Sequence, residues 1–215
     1  GVLNPTVVLK TDPNGNPITR GPSFHGKLGW DNQVNDDLRV RVTGSFYTSA
    51  SYASGDHLFN GDRAGARYYK VLDYTDTAAG TTKTNDFSGR FNPGFKNQTS
   101  FVINPFVKFQ GFEFFGTFEQ NSGFRNEVEG DTKGSYTQLG AEVLYRFGSW
   151  EQFYVAARFN SVSGNAQYSG DKPDTEKISR TNVGAGWFMT KNTLLKLEYV
   201  MQSYNEAFAN NLMNA

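Results

Sequence analysis

The sequence of 215 residues has no cysteine, no excess charge of either sign and no long apolar run. Without cysteine there is no disulfide framework, no thiolate metal site and no cysteine nucleophile. The 21 basic and 21 acidic side chains cancel, and this argues against a nucleic-acid-binding protein, which needs a basic excess to neutralise phosphates. A transmembrane helix needs about 18 consecutive apolar residues, and no such run is present.

Aromatic residues are abundant instead, with 19 Phe, 11 Tyr and 3 Trp. Apolar and polar residues alternate with a period of two through eight segments of nine to eleven residues, which predicts β-strands. These segments are 23–31, 38–48, 100–109, 112–120, 137–147, 152–161, 180–189 and 194–204. The 35 apolar or small positions on one face of these strands include no charged residue, whereas the overall charged fraction of 20% predicts about seven.

Three features of these segments predict an all-β, antiparallel transmembrane β-barrel. Nine to eleven residues is the length that a tilted strand needs to cross a bilayer, while soluble strands average about five or six. Short connections alternate with long ones, as periplasmic turns alternate with extracellular loops in outer-membrane barrels. Aromatic residues mark both ends of the uncharged face, for example Trp30 and Trp187 near short connections and Phe24 and Phe101 near long ones. A soluble β-sandwich, whose strands also alternate, is the alternative.

If the uncharged face meets lipid, the other face lines a water-filled lumen. The predicted pore-lining residues are Lys27, Arg39, Arg41, Lys108, Glu113, Glu142, Arg146, Arg158, Arg180, Lys196 and Glu198. With Asp31 and Glu119, this face carries eight basic and five acidic side chains, an excess of three positive charges. Strand matching predicts that Lys108 faces Glu113 and permits the pairs Asp31–Arg39 and Glu142–Arg158.

The glycines and long cations of this face favour a wide lumen. We therefore expect residues 1–215 to form one partial barrel domain, the C-terminal part of a barrel of about 14–18 strands. A closed eight-stranded barrel is the alternative. Residues 1–9 are expected to hold the end of an earlier strand. Pro105 predicts a β-bulge, or a position at which a backbone N–H would have had no partner.

The connection 49–99, with 51 residues, is too long for a plain loop. It is predicted to be a long extracellular or lumen-inserted loop. Its segment 61–69 is the candidate constriction, in which Arg63 and Arg67 would present guanidinium groups to passing anions. The alternative is that both arginines lie on a solvated surface loop.

No catalytic motif, complete metal-ligand pattern or phosphate-binding glycine loop is evident. The prediction is therefore no catalytic residue, no metal, no cofactor and a protein that is not an enzyme. Only two histidines exist, so an outer-membrane hydrolase with a histidine-based site would have to use His25 or His57.

Several segments resemble porins of Bacteroidota outer membranes and, more loosely, phosphate-selective porins. The resemblance is carried by 23–30, 35–41, 103–116 and 186–200, which include Gly26-Lys27-Leu28-Gly29-Trp30 and Asn104-Pro105-Phe106-Val107-Lys108. It covers most of 23–204. Phosphate-selective relatives line the pore with a ladder of basic residues, whereas carboxylates interrupt the basic residues here.

The resemblance implies an outer-membrane porin of a Gram-negative cell that allows passive diffusion of small hydrophilic solutes, with a mild anion or phosphate preference. The expected partners are outer-membrane lipid and lipopolysaccharide, the solutes themselves, and a homotrimer or other outer-membrane proteins; nucleic acid is not expected. The alternative function is a non-conducting structural or accessory β-barrel subunit of a larger outer-membrane complex.

Overall fold

The computed structural model describes residues 22–50, 91–126 and 128–206, and the strand backbone at 2–3, 10–11, 17–18, 72–76 and 83–87. In this part of the chain no helix is long and apolar enough to cross a bilayer. The described strands are β1 Val2–Leu3, β2 Lys10–Thr11, β3 Pro17–Ile18, β4 Ser23–Gln33, β5 Leu38–Ser49, β6 Leu72–Asp76, β7 Lys83–Phe87, β8 Asn97–Phe109, β9 Phe112–Phe124, β10 Gly134–Phe147, β11 Phe153–Asn165, β12 Glu176–Thr190 and β13 Thr193–Tyr204.

One antiparallel sheet contains nine of these strands in the order β1-β4-β5-β8-β9-β10-β11-β12-β13. The hairpins β2-β3 and β6-β7 form separate two-stranded sheets. The predicted all-β, antiparallel fold class is confirmed. The strand end predicted in residues 1–9 is confirmed as well, since Val2 pairs with Phe24 and Leu3 with Ser23. Among the described strands, β13 pairs with β12 alone, so the alternative of a closed eight-stranded barrel is not the arrangement observed. The total strand number of the barrel stays a prediction.

The eight long strands have 11 to 15 residues and include all eight predicted segments except Gln152, which precedes β11. At the short connections the observed strand ends lie within two residues of the predicted ones. At the long connections most strands continue further, by three residues in β8, four in β9, three in β10 and four in β11 and β12. In these extensions the period-two pattern fades while the backbone ladder continues, so hydrophobicity alone could not reveal them.

In a soluble sandwich the apolar face of a sheet is buried and the polar face is exposed. In this sheet the apolar face is the more exposed of the two. We call the face with the 35 uncharged positions the apolar face and the other the charged face. Along 139–147 of β10, the apolar-face residues are exposed and the charged-face residues are half-buried. Phe101 in β8 is 54% exposed and Val183 in β12 is 50% exposed. No second layer covers the apolar face in the described residues, and the soluble β-sandwich is therefore the wrong alternative.

A row of stacked aromatic rings crosses the apolar face beside the short connections. The ring centroids of Tyr145 and Phe147 lie 6.1 Å apart, those of Phe147 and Phe153 5.6 Å, and those of Phe153 and Trp187 6.1 Å. These residues come from three neighbouring strands, β10 to β12. A belt of this kind is typical of barrel positions at the membrane–water interface.

Pro105 lies in β8 without a bulge. Pairing of β8 with β9 has the same register on both sides of it, with Ile103 opposite Phe118 and Phe106 opposite Phe115. The carbonyl of Gly116, opposite Pro105, accepts a hydrogen bond from Asn104 Nδ2 at 3.2 Å. The Asn104 side chain thus supplies a donor where proline has none. A Cβ on Gly116 would lie 2.8 Å from the Pro105 ring, so the glycine makes room for it.

Candidate functional site

The strand register brings the predicted pore-lining residues to the charged face. Arg39 lies opposite Lys108, Lys108 opposite Glu113, and Glu142 opposite Arg158. On β12 and β13, Arg180, Lys196 and Glu198 belong to the same face, since Asn160 pairs with Arg180, Gly186 with Lys196 and Gly184 with Glu198. With Lys27 and Asp31 on β4, the face is a continuous ionic surface over eight strands, β4, β5 and β8 to β13. That these residues line a pore stays a prediction.

Glu113 lies between two cations near the short connections. Its Oε1 is 3.6 Å from Lys108 Nζ and 3.2 Å from Arg146 Nε. The Arg146 guanidinium also lies 5.9 Å from the ring centroid of Tyr154. The Lys108–Glu113 pair was predicted from the two-residue turn, whereas the Arg146 contact depends on the pairing of β9 with β10. One carboxylate thus balances two cations and leaves a local positive excess.

Asp31 and Arg39 form the predicted ion pair, but not as directly opposed residues. The residue opposite Asp31 is Arg41, and Arg39 lies opposite Gln33. The Arg39 guanidinium reaches diagonally across the hairpin and donates to both carboxylate oxygens of Asp31, at 2.9 and 2.6 Å. A diagonal neighbour is within reach of a long side chain, and the two-point contact fixes the direction of the fork.

Two more ion pairs lie further along the sheet. Arg158 donates to Glu142 directly across from it, as the matching of strands predicted. Lys196 Nζ lies 3.1 Å from Glu198 Oε2, two positions away on the same strand. Asn182 Nδ2 donates to the other Glu198 oxygen at 2.6 Å. The Asn182 contact was not predicted, because it depends on the register between β12 and β13.

Three cations of the charged face make no ion pair with a described carboxylate: Lys27, Arg41 and Arg180. The Arg41 guanidinium lies 5.0 Å from the ring centroid of Phe106, a cation–π contact. On the acidic side, Glu119 accepts a hydrogen bond from Ser100 at 3.4 Å. The positive excess of this face is therefore not neutralised by its own carboxylates within the described residues.

A cavity of about 540 Å³ lies against the charged face. Residues of five consecutive strands, β9 to β13, line it, so the sheet curves around this face. Arg158, Arg180 and Lys196 contribute cations to the lining, and Glu119 and Glu198 contribute carboxylates. In the described part of the chain, no group of three His, Asp or Glu side chains is placed to hold a metal ion.

The end of the long connection contributes to this cavity. Phe91 and Pro93 line it, although they belong to none of its strands. Phe95 is 1% exposed, and the rings of Phe91 and Phe95 lie 4.7 and 5.9 Å from that of Tyr136 on the charged face. Arg125 Nε donates to the Pro93 carbonyl at 2.8 Å and holds the segment in place. The segment 91–96 therefore packs against the charged face. Arg63, Arg67 and His57 lie outside the described residues.

Sequence reasoning missed the buried polar groups of this region. Tyr136, 4% exposed, donates to Glu176 at 2.6 Å across 40 residues of sequence. Asn121 and Asn182 are buried and also line the cavity. The signal available in the sequence was the recurrence of Asn and Gln at charged-face positions, at 98, 121, 138, 160, 182 and 202.

No family model matches the chain, and no curated protein matches its sequence. Among solved structures, the chain is similar to OmpT of Vibrio cholerae, an outer membrane protein folded in vitro and described in a trimer form. The TM-score is 0.47 and the sequence identity 12%. The similarity covers 93% of this chain and 55% of that chain, so this chain spans about half the length of that protein.

The long antiparallel strands, the exposed apolar face and the ionic opposite face are those of an outer-membrane β-barrel protein. The prediction that the protein is not an enzyme is corrected: the chain is no longer classed in that way. The solved protein to which it is similar is described as an outer membrane protein, and this description assigns no pore activity and leaves catalysis open. Of the two histidines in the catalytic alternative, His25 lies on the charged face, opposite Tyr47.

Proposed function

We propose that the chain forms the wall of an outer-membrane porin through which small hydrophilic solutes diffuse, with a mild preference for anions. The observation that carries this proposal is the charged face, which is continuous over the sheet and keeps its positive excess. Fixed charges on a barrel wall need water or counter-charges, and a water-filled lumen supplies both. The resemblance to Bacteroidota porins supports the same function and the outer membrane of a Gram-negative cell as its location.

The proposed partners follow from the two faces. Outer-membrane lipid and lipopolysaccharide would contact the apolar face, and solutes would contact the charged face. Assembly as a homotrimer, or with other outer-membrane proteins, belongs to the proposal as well.

A second candidate is a non-conducting structural or accessory barrel. It is favoured by one observation: segment 91–96 packs against the charged face and fills part of the space in front of it. A larger obstruction of the lumen by this connection would abolish diffusion.

Single-channel recording on the full-length protein in planar bilayers distinguishes the two candidates. A porin gives stepwise, ohmic conductance, and under a salt gradient the positive excess of the wall predicts a reversal potential on the anion-selective side. The absence of any conductance step would contradict the pore and support the accessory barrel. Conductance with cation selectivity would retain the pore and contradict the argument from wall charge.

A further inference from the structure

The apolar face ends before the strands do at the long connections. On the same side of the sheet 15 further strand positions follow, which are 48, 97, 99, 120, 122, 124, 135, 137, 161, 163, 165, 177, 179, 181 and 203. The pairing has no register shift along these strand ends, so their side chains continue the alternation of the apolar face. Ten of the 15 residues are Ser or Thr, none is acidic, and Lys177 is the one charged residue among them. We call these positions the hydroxyl band.

The hydroxyl band lies at the depth of the lipid headgroups. It begins two residues beyond the apolar face, which is about 5 Å along the membrane normal at about 3.3 Å per residue and about 40° of tilt. The headgroup layer begins where the hydrocarbon core ends, at this level of the barrel. At the short connections the described strands have no such band, because aromatic residues such as Phe109 and Phe112 lie directly beside the turn. The band therefore faces one leaflet, and this is the outer one, since the long connections of outer-membrane barrels are extracellular.

Around Lys177 the hydroxyl band combines a positive charge with several hydroxyl groups. Thr137, Ser163 and Lys177 form one row across β10, β11 and β12. Ser161 lies opposite Ser179 in the next row, two residues nearer the apolar face. Lys177 is exposed and makes no ion pair with a described carboxylate, and the hydroxyls of Thr137 and Ser163 make no hydrogen bond to another described residue. The row from β10 to β12 is about 10 Å wide, which is about the length of a disaccharide.

The chemistry of this region matches a phosphorylated saccharide. A Ser or Thr hydroxyl donates and accepts hydrogen bonds without carrying a charge, as sugar hydroxyls do. The Lys177 ammonium attracts phosphate, and no acidic residue of the band repels it. A phospholipid headgroup would contact the ammonium but would leave most of the neighbouring hydroxyls without a ligand.

We infer that the hydroxyl band binds the sugar headgroup of lipopolysaccharide in the outer leaflet. Lys177 contacts a phosphate, and the hydroxyls of Thr137, Ser161 and Ser163 bond to the sugar. The band is continuous with the apolar face, so the acyl chains of the same molecule cover the hydrocarbon-facing part of these strands. The inference rests on the outer-membrane location in the proposed function and does not depend on conduction.

The test measures equilibrium binding of deep-rough lipopolysaccharide to the full-length, delipidated protein in micelles of a nonionic detergent. Phosphatidylglycerol is the control lipid, since it has a phosphate and acyl chains but no sugar ring. Lipopolysaccharide is expected to bind at least about tenfold more tightly, because the band adds hydrogen bonds to the sugar. Binding is measured without any current, so a failure here is separate from a failure of the pore.

Two pairs of matched variants locate the site. K177Q removes the charge of the band and is expected to weaken lipopolysaccharide binding about tenfold, while K172Q, an exposed lysine in the preceding connection, stays within about twofold of the parent. T137V/S163A removes two hydroxyls of the band and is expected to weaken binding at least about fivefold. T43V/S45A makes the same two chemical changes on the charged face and is expected to stay within about twofold.

Heat-modifiable migration in gels checks that all four variants fold, and their oligomeric state is measured in the same detergent. The inference is overturned if phosphatidylglycerol binds as tightly as lipopolysaccharide, or if either band variant binds no more weakly than its matched control. It is overturned equally if the band variants lose their oligomeric state and keep their affinity for lipopolysaccharide, because the band would then be a contact between copies of the chain.

Discussion

Replacing Val143 by arginine is expected to destabilise the barrel in a bilayer strongly. Val143 lies in the middle of β10 on the apolar face and is 39% exposed, with Phe114 and Ala157 as its cross-strand neighbours. If hydrocarbon covers this face, a guanidinium at mid-depth costs about 2–4 kcal/mol of folding free energy. Equilibrium unfolding in lipid vesicles, followed by tryptophan fluorescence and by gel migration of the folded form, measures this loss.

The control is arginine at the next residue, Leu144. Its side chain lies on the charged face, opposite Glu113 and Ala156. Arginine there stays in water but adds a third cation near Glu113, which already contacts Lys108 and Arg146, and this like-charge contact is expected to cost up to about 1 kcal/mol. The lipid-facing assignment would be contradicted if V143R and L144R destabilised the protein equally, or if L144R were the more harmful.

Replacing both Lys27 and Arg180 by glutamate is expected to reverse the ion selectivity of the pore. Lys27 and Arg180 make no ion pair with described carboxylates, so their replacement by glutamate breaks no ion pair of the wall. The double variant changes the described wall from an excess of three positive charges to an excess of one negative charge. Because wall charge sets the local concentration of permeating ions, the reversal potential under a salt gradient is expected to change sign.

A second double variant, K133E with K172E, separates wall charge from total charge. Both lysines are exposed and lie in long connections outside the wall strands. The total charge of the chain changes by the same amount, and the reversal potential is expected to keep the sign of the parent. A sign change in both double variants, or in neither, would contradict the assignment of Lys27 and Arg180 to the conducting surface.

The sequence was informative wherever one face of a strand meets a uniform environment. In β9 and β10 the uncharged row fixes which side chains share a face, and the two-residue turn at Gln110-Gly111 fixes the register of β8 against β9. This is why the Lys108–Glu113 contact could be predicted. The faces follow from period two alone, because a shift of one residue would place every charge on the apolar face.

The parts that could not be predicted depend on registers across long connections or on positions beyond the uncharged row. The Tyr136–Glu176 hydrogen bond joins strands that flank β11, and the Asn182–Glu198 contact requires the pairing of β12 with β13. Arg39 contacts Asp31 diagonally because the arginine side chain is long enough to reach a cross-strand neighbour that does not lie directly opposite. Segment 91–96 has no periodic pattern, and its packing against Tyr136 follows from tertiary contacts.

The most direct test measures whether each face of the sheet contacts lipid or water, and it is possible because the chain contains no cysteine of its own. Single cysteines are introduced in turn from Gly140 to Tyr145 in β10, labelled with a nitroxide, and tested for collision with oxygen dissolved in lipid and with a nickel chelate dissolved in water. If hydrocarbon covers the apolar face, the two reagents alternate in opposite phase: oxygen collides most at 141, 143 and 145, and the chelate most at 140, 142 and 144. A label at 143 that meets neither reagent would place the uncharged row in a dry protein interior, and chelate access at 141, 143 and 145 would place it in water. Either result would contradict the assignment of this row to the membrane.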